Sequence, residues 1–393
     1  MSKRIRILAV DVGTGTQDAL LFDSEQTIEN CFELIMPSPT VIAQRRILRA
    51  TAEGRPVLLS GHIMGGGPCA WAARDHAQAG YSCYATPDAA RTLDDDLRRV
   101  EAQGLRIVDD AEAQRVRERE GARLVEVAMR DFDGVALRRA FAAFDVDPRV
   151  DVVAVAAFDH GNAPPGVSDR RFRFDAITAR VRERPDALAF AWRATDLPAE
   201  LTRLAAVATD AARYHSDGSD GAPDTPVVVM DTGAAALAGA LEDPVVGGRE
   251  EALVVNVGNF HTLAFHLRGR RIVSLFEHHT GELDRPRLED YLRDLVAGTL
   301  SNERVFAESG HGALTLDATP QLDASGRRVE APFLAVTGPR RELLRGSDLS
   351  PYEPAPHGSM MLAGCYGLLR AVAALEPDLA PVIERSLGAP GDR

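Results

Sequence analysis

The chain has 393 residues, 45% of them hydrophobic and 26% charged, enough to bury one or two ordinary cores. Its net charge of −13 argues against a nucleic-acid partner or an anionic membrane surface. Lys3 is the only lysine among 45 basic residues, which excludes a Walker A lysine, a protein-kinase lysine and a lysine Schiff base.

The four cysteines, Cys31, Cys69, Cys83 and Cys365, form no C-x-x-C pair, so reduced thiols in a cytoplasmic protein are expected. No closely spaced triplet is present to ligate an iron–sulfur cluster. The opening run is too short for a signal peptide, and nothing approaches the roughly 20 apolar residues of a bilayer span. No membrane partner is expected.

In chain order, Ile5–Val10 reads as a strand, Asp11–Asp18 as a Gly/Thr turn, Ala19–Phe22 as a second strand and Cys31–Met36 as a third. Ile42–Thr51 has helical spacing. Pro56–Ser60 is a buried-type strand that empties into the glycine-rich loop Gly61–Gly67, with His62 inside it, before a helix over Pro68–Gln78. That loop is either an anion or substrate loop at a helix N-terminus or a packing turn. Residues 86–121 are charged and helical. Leu124–Met129 and Asp151–Phe158 are strands around the helical Val135–Phe144; 198–214 is helical, and Ser216–Pro226 looks like a boundary.

After that boundary the opening pattern recurs: strand Leu253–Val257, turn Gly258–His261, strand Thr262–Leu267, a tight turn and strand Arg271–Phe276. A helix over Arg287–Leu300 and a strand at Phe333–Val336 follow. The repeated order predicts a duplicated α/β fold divided at 220/221.

The first turn, with Asp11, Gly13, Thr14, Gly15, Thr16 and Gln17, offers backbone amides and hydroxyls suited to phosphate, and Asp11 at a strand end suits a hydrated Mg²⁺. The second turn, with Asn256, Gly258, Asn259 and Thr262, offers similar small donors. Two ordinary hairpin turns are the alternative. Asp231 follows a strand and precedes a small-residue helix, placing it either as a general base or as an N-cap. Asp159 and His160 end a continuous apolar strand, where side chains enter the ligand crevice of an α/β sheet, so Asp159 is a candidate to bind a substrate hydroxyl or act as an alternative base with His160 nearby; local turn chemistry is the alternative. Glu277, His278 and His279 carry metal-donor atoms, but strand alternation sends the two histidines to opposite faces. One is expected to reach substrate or the other half of the molecule and the other to be solvated.

Five segments in order resemble the sugar-kinase, heat-shock-chaperone and actin superfamily: ILAVDVGTGTQDALLFD (7–23), VVVMDTGAAALAGAL (227–241), LVVNVGNFHTLAF (253–265), FLAVTGP (333–339) and GSMMLAGCYGLLRA (358–371). Within it the chain is similar to a prokaryotic family labelled as a pyruvate formate-lyase activating enzyme. That label implies radical chemistry, for which the cysteines provide no cluster motif. The superfamily resemblance implies two actin-like, ribonuclease H-like lobes, 1–220 and 221–393, each a mixed sheet flanked by helices, with a nucleotide cleft between them. It further implies ATP and Mg²⁺ as cofactors, Asp231 as base and Gly338 beside the adenosine. A phosphotransferase or ATPase acting on a small hydroxylated substrate follows, with a nucleotide-dependent partner of another protein as the alternative. Gln17 and Asn256 depart from the pattern, standing where chaperone and actin members have a phosphate-binding lysine and many members an aspartate; either change favours slow turnover or nucleotide binding without hydrolysis.

Overall fold

Ile7, Leu8, Ala9 and Val10 are wholly buried because β1 (Arg6–Val12) is a central strand with both faces covered. In this computed structural model, which describes residues 4–216, 225–317 and 332–388, β1 pairs antiparallel with β2 (Thr16–Asp23), and β2 with β3 (Phe32–Pro37). Helix α1 (Pro39–Ala52) begins three residues earlier than its apolar spacing suggests. Proline suits a first turn, and the Ser38 hydroxyl accepts from the Val41 amide.

A unit absent from the expected pair of sheets follows. β4 (Val57–Gly61), α2 (Pro68–Gln78), β5 (Cys83–Ala85), β6 (Arg106–Ile107) and β7 (Val125–Met129) build a third, all-parallel sheet in the order β6-β5-β4-β7. The helical reading of 86–121 is therefore corrected: β6 interrupts it between the helices Leu97–Ala102 and Asp110–Glu120. Strands of two or three residues are too short to show a period.

The chain then rejoins the first sheet. β8 (Val152–Ala157) runs parallel to β1. Helix α3 (Asp169–Glu183), which the sequence reading passed over, leads to β9 (Ala191–Arg193) and to β10 (Val227–Asp231), parallel to β8. The order is β3-β2-β1-β8-β10-β9. The expected division at 220/221 lies outside the described residues, and β10, on its C-terminal side, belongs to the first sheet.

Helix α4 (Thr232–Ala240) leads to the second sheet: β11 (Glu251–Val257), β12 (His261–Arg268), β13 (Arg271–His279), β14 (Gly312–Thr315) and β15 (Phe333–Thr337), ordered β14-β13-β12-β11-β15. β11 is antiparallel to β12 and parallel to β15, as β1 is to β2 and β8. The recurrence is thus one of strand order and direction. One apolar core joins the two sheets through α4 and α5 (Ala363–Leu375). These helices cross where a Cβ on Gly367 would lie 2.0 Å from the Ala235 carbonyl oxygen, so only glycine permits the approach. Among the described residues no helix is long and apolar enough to cross a membrane.

Candidate functional site

Strand pairing makes the two turns counterparts. Asp11 pairs with Asp18 and Val12 with Gln17; in the second sheet Asn256 pairs with Leu263 and Val257 with Thr262. Each turn is closed by the same bond, from Gly13 N–H to Thr16 O (3.0 Å) and from Gly258 N–H to His261 O (2.9 Å). The turns face each other: a Cβ on Gly15 would lie 2.8 Å from the Asn259 amide nitrogen.

Around them opens a cavity of about 500 Å³. Of the residues proposed from sequence it is lined by Asp11, Gly13, Thr14, Gly15, Thr16, Asn256, Gly258, Asn259, Gly338, Asp159 and His160. Gly65, Gly66 and Gly67 of the glycine-rich loop also line it, whereas His62 lies 3.7 Å from Asp210 instead. Arg91, within the charged stretch 86–121, is a further lining cation.

Three expectations need correcting. Gln17 is buried away from the cavity, its amide donating to Pro37 O at 3.4 Å; Asp18, one step along β2, lines the cavity in its place. Thr262 is likewise turned inward, sharing a 2.9 Å hydrogen bond with Thr280, while His261 and Leu263 on either side face the cavity. Both errors come from starting the second strand late, which loses the period-2 alternation. Asp231 is not among the residues lining this cavity: Gly233 N–H donates to its Oδ1 (3.0 Å) and Arg173 Nη1 to its Oδ2 (2.9 Å). It caps α4 and holds an ion pair.

Asp159 is also engaged, accepting from Gly161 N–H (2.8 Å) and Leu204 N–H (2.9 Å), though burial pushes its carboxyl up. His160 is half-exposed at the cavity wall, with Asp95 3.5 Å from its Nε2. It is the one proposed catalytic residue whose side chain is not tied to backbone amides or a buried cation.

Asp11 accepts from Thr232 Oγ1–H at 2.7 Å, and burial pushes its carboxyl up to about 6, aided by the nearby Asp231 charge. Burial pushes Asp18 up to about 7, with Asp11 adding to it. Asp18 Oδ1 is buried without a hydrogen-bond partner. Two carboxylates in one desolvated place with an orphaned oxygen form an uncompensated anionic pair, a donor set that fits a hard divalent cation.

Arg173, on α3, was missed, although Phe174, Ile177 and Val181 mark the buried face of that helix at helical spacing. Its guanidinium donates from Nε to both Glu277 oxygens (2.9 and 2.8 Å) and from Nη1 to Asp231, so it ties the end of β10 to β13. Burial opposes its charge, but Asp231 and Glu277 outweigh that and hold it above its ordinary value. It lies 3.9 Å over the Phe158 ring, which stacks on His261 with centroids 4.0 Å apart.

The Glu277–His279 segment divides as alternation requires. Glu277 serves Arg173, and His278 is wholly buried rather than solvated, bonded to His279 O and Glu308 O at 3.0 Å each. His279 faces the cavity beside His261 and His311. Burial pushes His261 well below its ordinary value and His311 down to about 2, with neighbouring positive groups adding to both.

A family model described as "Putative pyruvate format-lyase activating enzyme (DUF1786)" matches residues 64–343. No protein of curated function matches. Among solved structures, a ROK family transcriptional regulator, described as a homologue of E. coli MLC, is 9% identical over 68% of this chain and 37% of its own, with a TM-score of 0.24. Nucleotide-free acetone carboxylase is 10% identical over 69% and 45%, with a TM-score of 0.20. A carbohydrate kinase from Novosphingobium aromaticivorans is 12% identical over 96% and 88%, with a TM-score of 0.22. The chain spans less than half the length of the first two. Likenesses at these scores assign no function.

Proposed function

The chain belongs to the family so described, and from the two facing turns we propose that its cavity is a MgATP site between two actin-like lobes, used for phosphoryl transfer to a small hydroxylated acceptor. One observation carries this reading: two glycine turns with the same closing bond, on sheets of matching strand order, meet across a cavity that also holds the half-buried Asp11 and the buried Asp18. Thr14, Thr16 and Asn259 supply neutral donors for phosphate, and Gly338 keeps the wall beside β15 open for the adenosine. Asp11 and Asp18 would hold Mg²⁺, whose contribution is to neutralise phosphate charge where no lysine is at hand. His160, with Asp95 3.5 Å from its Nε2, takes the acceptor's proton.

The radical activity in the family's description finds no support in the cysteines. All four are free and buried, and among the described residues the sole cluster of three or more metal-donor side chains consists of histidines. An iron–sulfur cluster does not fit this chain alone.

Calorimetry with ATP and ADP, in Mg²⁺ and in EDTA, tests the nucleotide reading. Asp11→Asn keeps the shape and removes the charge, so ATP affinity in Mg²⁺ should fall at least about tenfold while the EDTA value stays put. Equal affinities of variant and wild type in both conditions would sink the site. The second reading, a nucleotide-dependent partner of another protein, is favoured by the engagement of both Asp159 and Asp231 in structural bonds. A wild-type chain that binds MgATP, while no acceptor stimulates turnover and His160→Gln changes nothing, would replace the first reading with it; a base loses about 10²–10⁴-fold when removed.

A further inference from the structure

Three neighbouring strands of the second sheet each deliver a histidine to the same end. His261 opens β12, His279 closes β13 and is its direct cross-strand partner, and His311 immediately precedes β14. Their ring centroids lie 5.2, 5.1 and 4.6 Å apart, and one nitrogen from each falls within 4.8 Å of the others. We propose that His261, His279 and His311 form a mononuclear site for a borderline divalent transition ion of the zinc class, with its remaining coordination position open to the cavity.

The arrangement goes beyond proximity. His279 Nδ1 is 2.9 Å from the Ser309 carbonyl, which sets Nδ1 as the donor and leaves Nε2 bare for a metal. Ser309 adopts φ +74° in doing so, an uncommon conformation for a residue other than glycine. Glu277 O accepts from His311 N–H at 2.9 Å, fixing the backbone of the third donor to the strand that carries the second. His311 is 4% exposed, and its Nδ1 is buried with no hydrogen-bond partner, a polar atom whose desolvation is uncompensated in the free protein. The His261 ring is oriented by Phe158, stacked at 10° interplanar angle and backed by Arg173.

The donor set selects the ion. Three imidazoles with no carboxylate suit zinc, nickel, cobalt or copper and disfavour magnesium and calcium, which require oxygen. Three protein ligands with one open position describe a site that takes an exogenous ligand. His261 and His279 line the cavity while His311 stands behind them, so that position faces the cavity. An oxygen ligand there, water or a hydroxyl or carboxylate of the bound small molecule, completes the ion. Bringing nitrogens from 4.8 Å to the roughly 3.3 Å spacing of a tetrahedral ion with bonds of about 2.0–2.1 Å requires only ring rotation and a small closing of the strand ends.

The inference stands apart from the nucleotide reading, and its test uses no nucleotide. The full chain, stripped with chelator and desalted, is titrated with Zn²⁺ by calorimetry and with Co²⁺ by visible absorption. One Zn²⁺ per chain is expected, with Co²⁺ giving the strong bands of a four- or five-coordinate site. His261→Ala and His279→Ala should each weaken Zn²⁺ by about 100-fold or more, at least the cost of losing an outer-shell partner. His62→Ala, on a half-exposed histidine outside the cluster, should bind as wild type does. Since His311 is buried and its replacement threatens folding, the two cavity-wall variants carry the test, with melting temperatures taken alongside. Absence of stoichiometric binding at micromolar Zn²⁺ would overturn the proposal. So would binding that survives the His261→Ala/His279→Ala pair, which would be an adventitious ion only.

Discussion

The hairpins β1–β2 and β11–β12 share pairing, turn closure and neighbours, yet their chemistry is opposite. Where the first places Asp11 and Asp18 at the cavity, the second places Asn256 and Leu263; where the first has Thr16, the second has His261. Burial pushes the first hairpin's carboxyls up and the second's imidazoles down, because in each case it disfavours the charged form. One backbone design, used twice, thus offers two carboxylates on one wall and a single imidazole, His261, on the other, where β13 and the residue before β14 add His279 and His311. Backbone geometry is set by strand pairing and a glycine; ligand preference is set by three side chains that alternate toward the cavity. The two proposed ions, one hard and one borderline, follow that division.

The largest expected effect breaks the tie between these regions. Arg173 is the buried cation that serves Asp231, at the end of the first sheet, and Glu277, in the second. Arg173→Met keeps much of the stem's volume but leaves two buried carboxylates facing each other. The loss should be about 3–5 kcal/mol, the usual cost of removing one partner from a buried ion pair, read from urea unfolding. A loss under about 1 kcal/mol, as for exposed pairs, would mean the two halves do not depend on this contact.

A smaller effect sharpens the asymmetry. A Cβ on Gly364 of α5 would lie 2.0 Å from Asp11 Oδ2, whereas the comparable glycine approach to Asn256 comes from Gly338 on the loop after β15, at 2.6 Å from its Oδ1. Gly364→Ala should cost about 1–3 kcal/mol through overpacking and displace the Asp11 carboxylate. Mg²⁺-dependent nucleotide binding should be lost and Zn²⁺ binding retained, with calorimetry reading both. If zinc falls along with nucleotide, the walls are not independent.

Much of this was legible in the sequence. D-x-G-T-G between two apolar runs and V-G-N-F-H between two more located both turns, since glycine-rich breaks between β-branched runs have few other readings. The alternation beyond each turn was misphased by one residue, which exchanged Asp18 for Gln17 and gave Thr262 a role belonging to its neighbours. Arg173 shares the buried face that Phe174, Ile177 and Val181 mark locally, but that spacing does not say why an arginine belongs there; only its two distant partners explain it. His311 lies 32 positions beyond His279, and the strand order that brings them together is non-local information. Asp231 was visible with both of its readings, because a carboxylate that caps a helix and one that serves as a base look alike in sequence; the structure displays the cap.

The smallest effect concerns the direction in which each hairpin responds to pH. His266, on β12 and 2% exposed, has its Nε2 2.7 Å from Glu251 Oε1, yet burial outweighs that partner and holds the imidazole below its ordinary value. In the unfolded chain it titrates near 6.5. As pH falls below that point the unfolded state takes the proton first, so the stability that His266 contributes is present at neutral pH and lost on acidification toward its folded value. The carboxylates of the first hairpin, pushed up by burial, act with the opposite sign and damp the overall slope. A difference between variants is therefore the proper measure. Between pH 7.5 and 5.5, wild type should lose more stability in urea than His266→Gln by up to about 1 kcal/mol, within the limit of about 1.4 kcal/mol per pH unit for one group. Glutamine keeps a donor for Glu251 and does not titrate, so parallel curves would show that His266 is as free to protonate in the fold as in the open chain. The opposite response of the two hairpins would then be confined to the residues at the cavity itself.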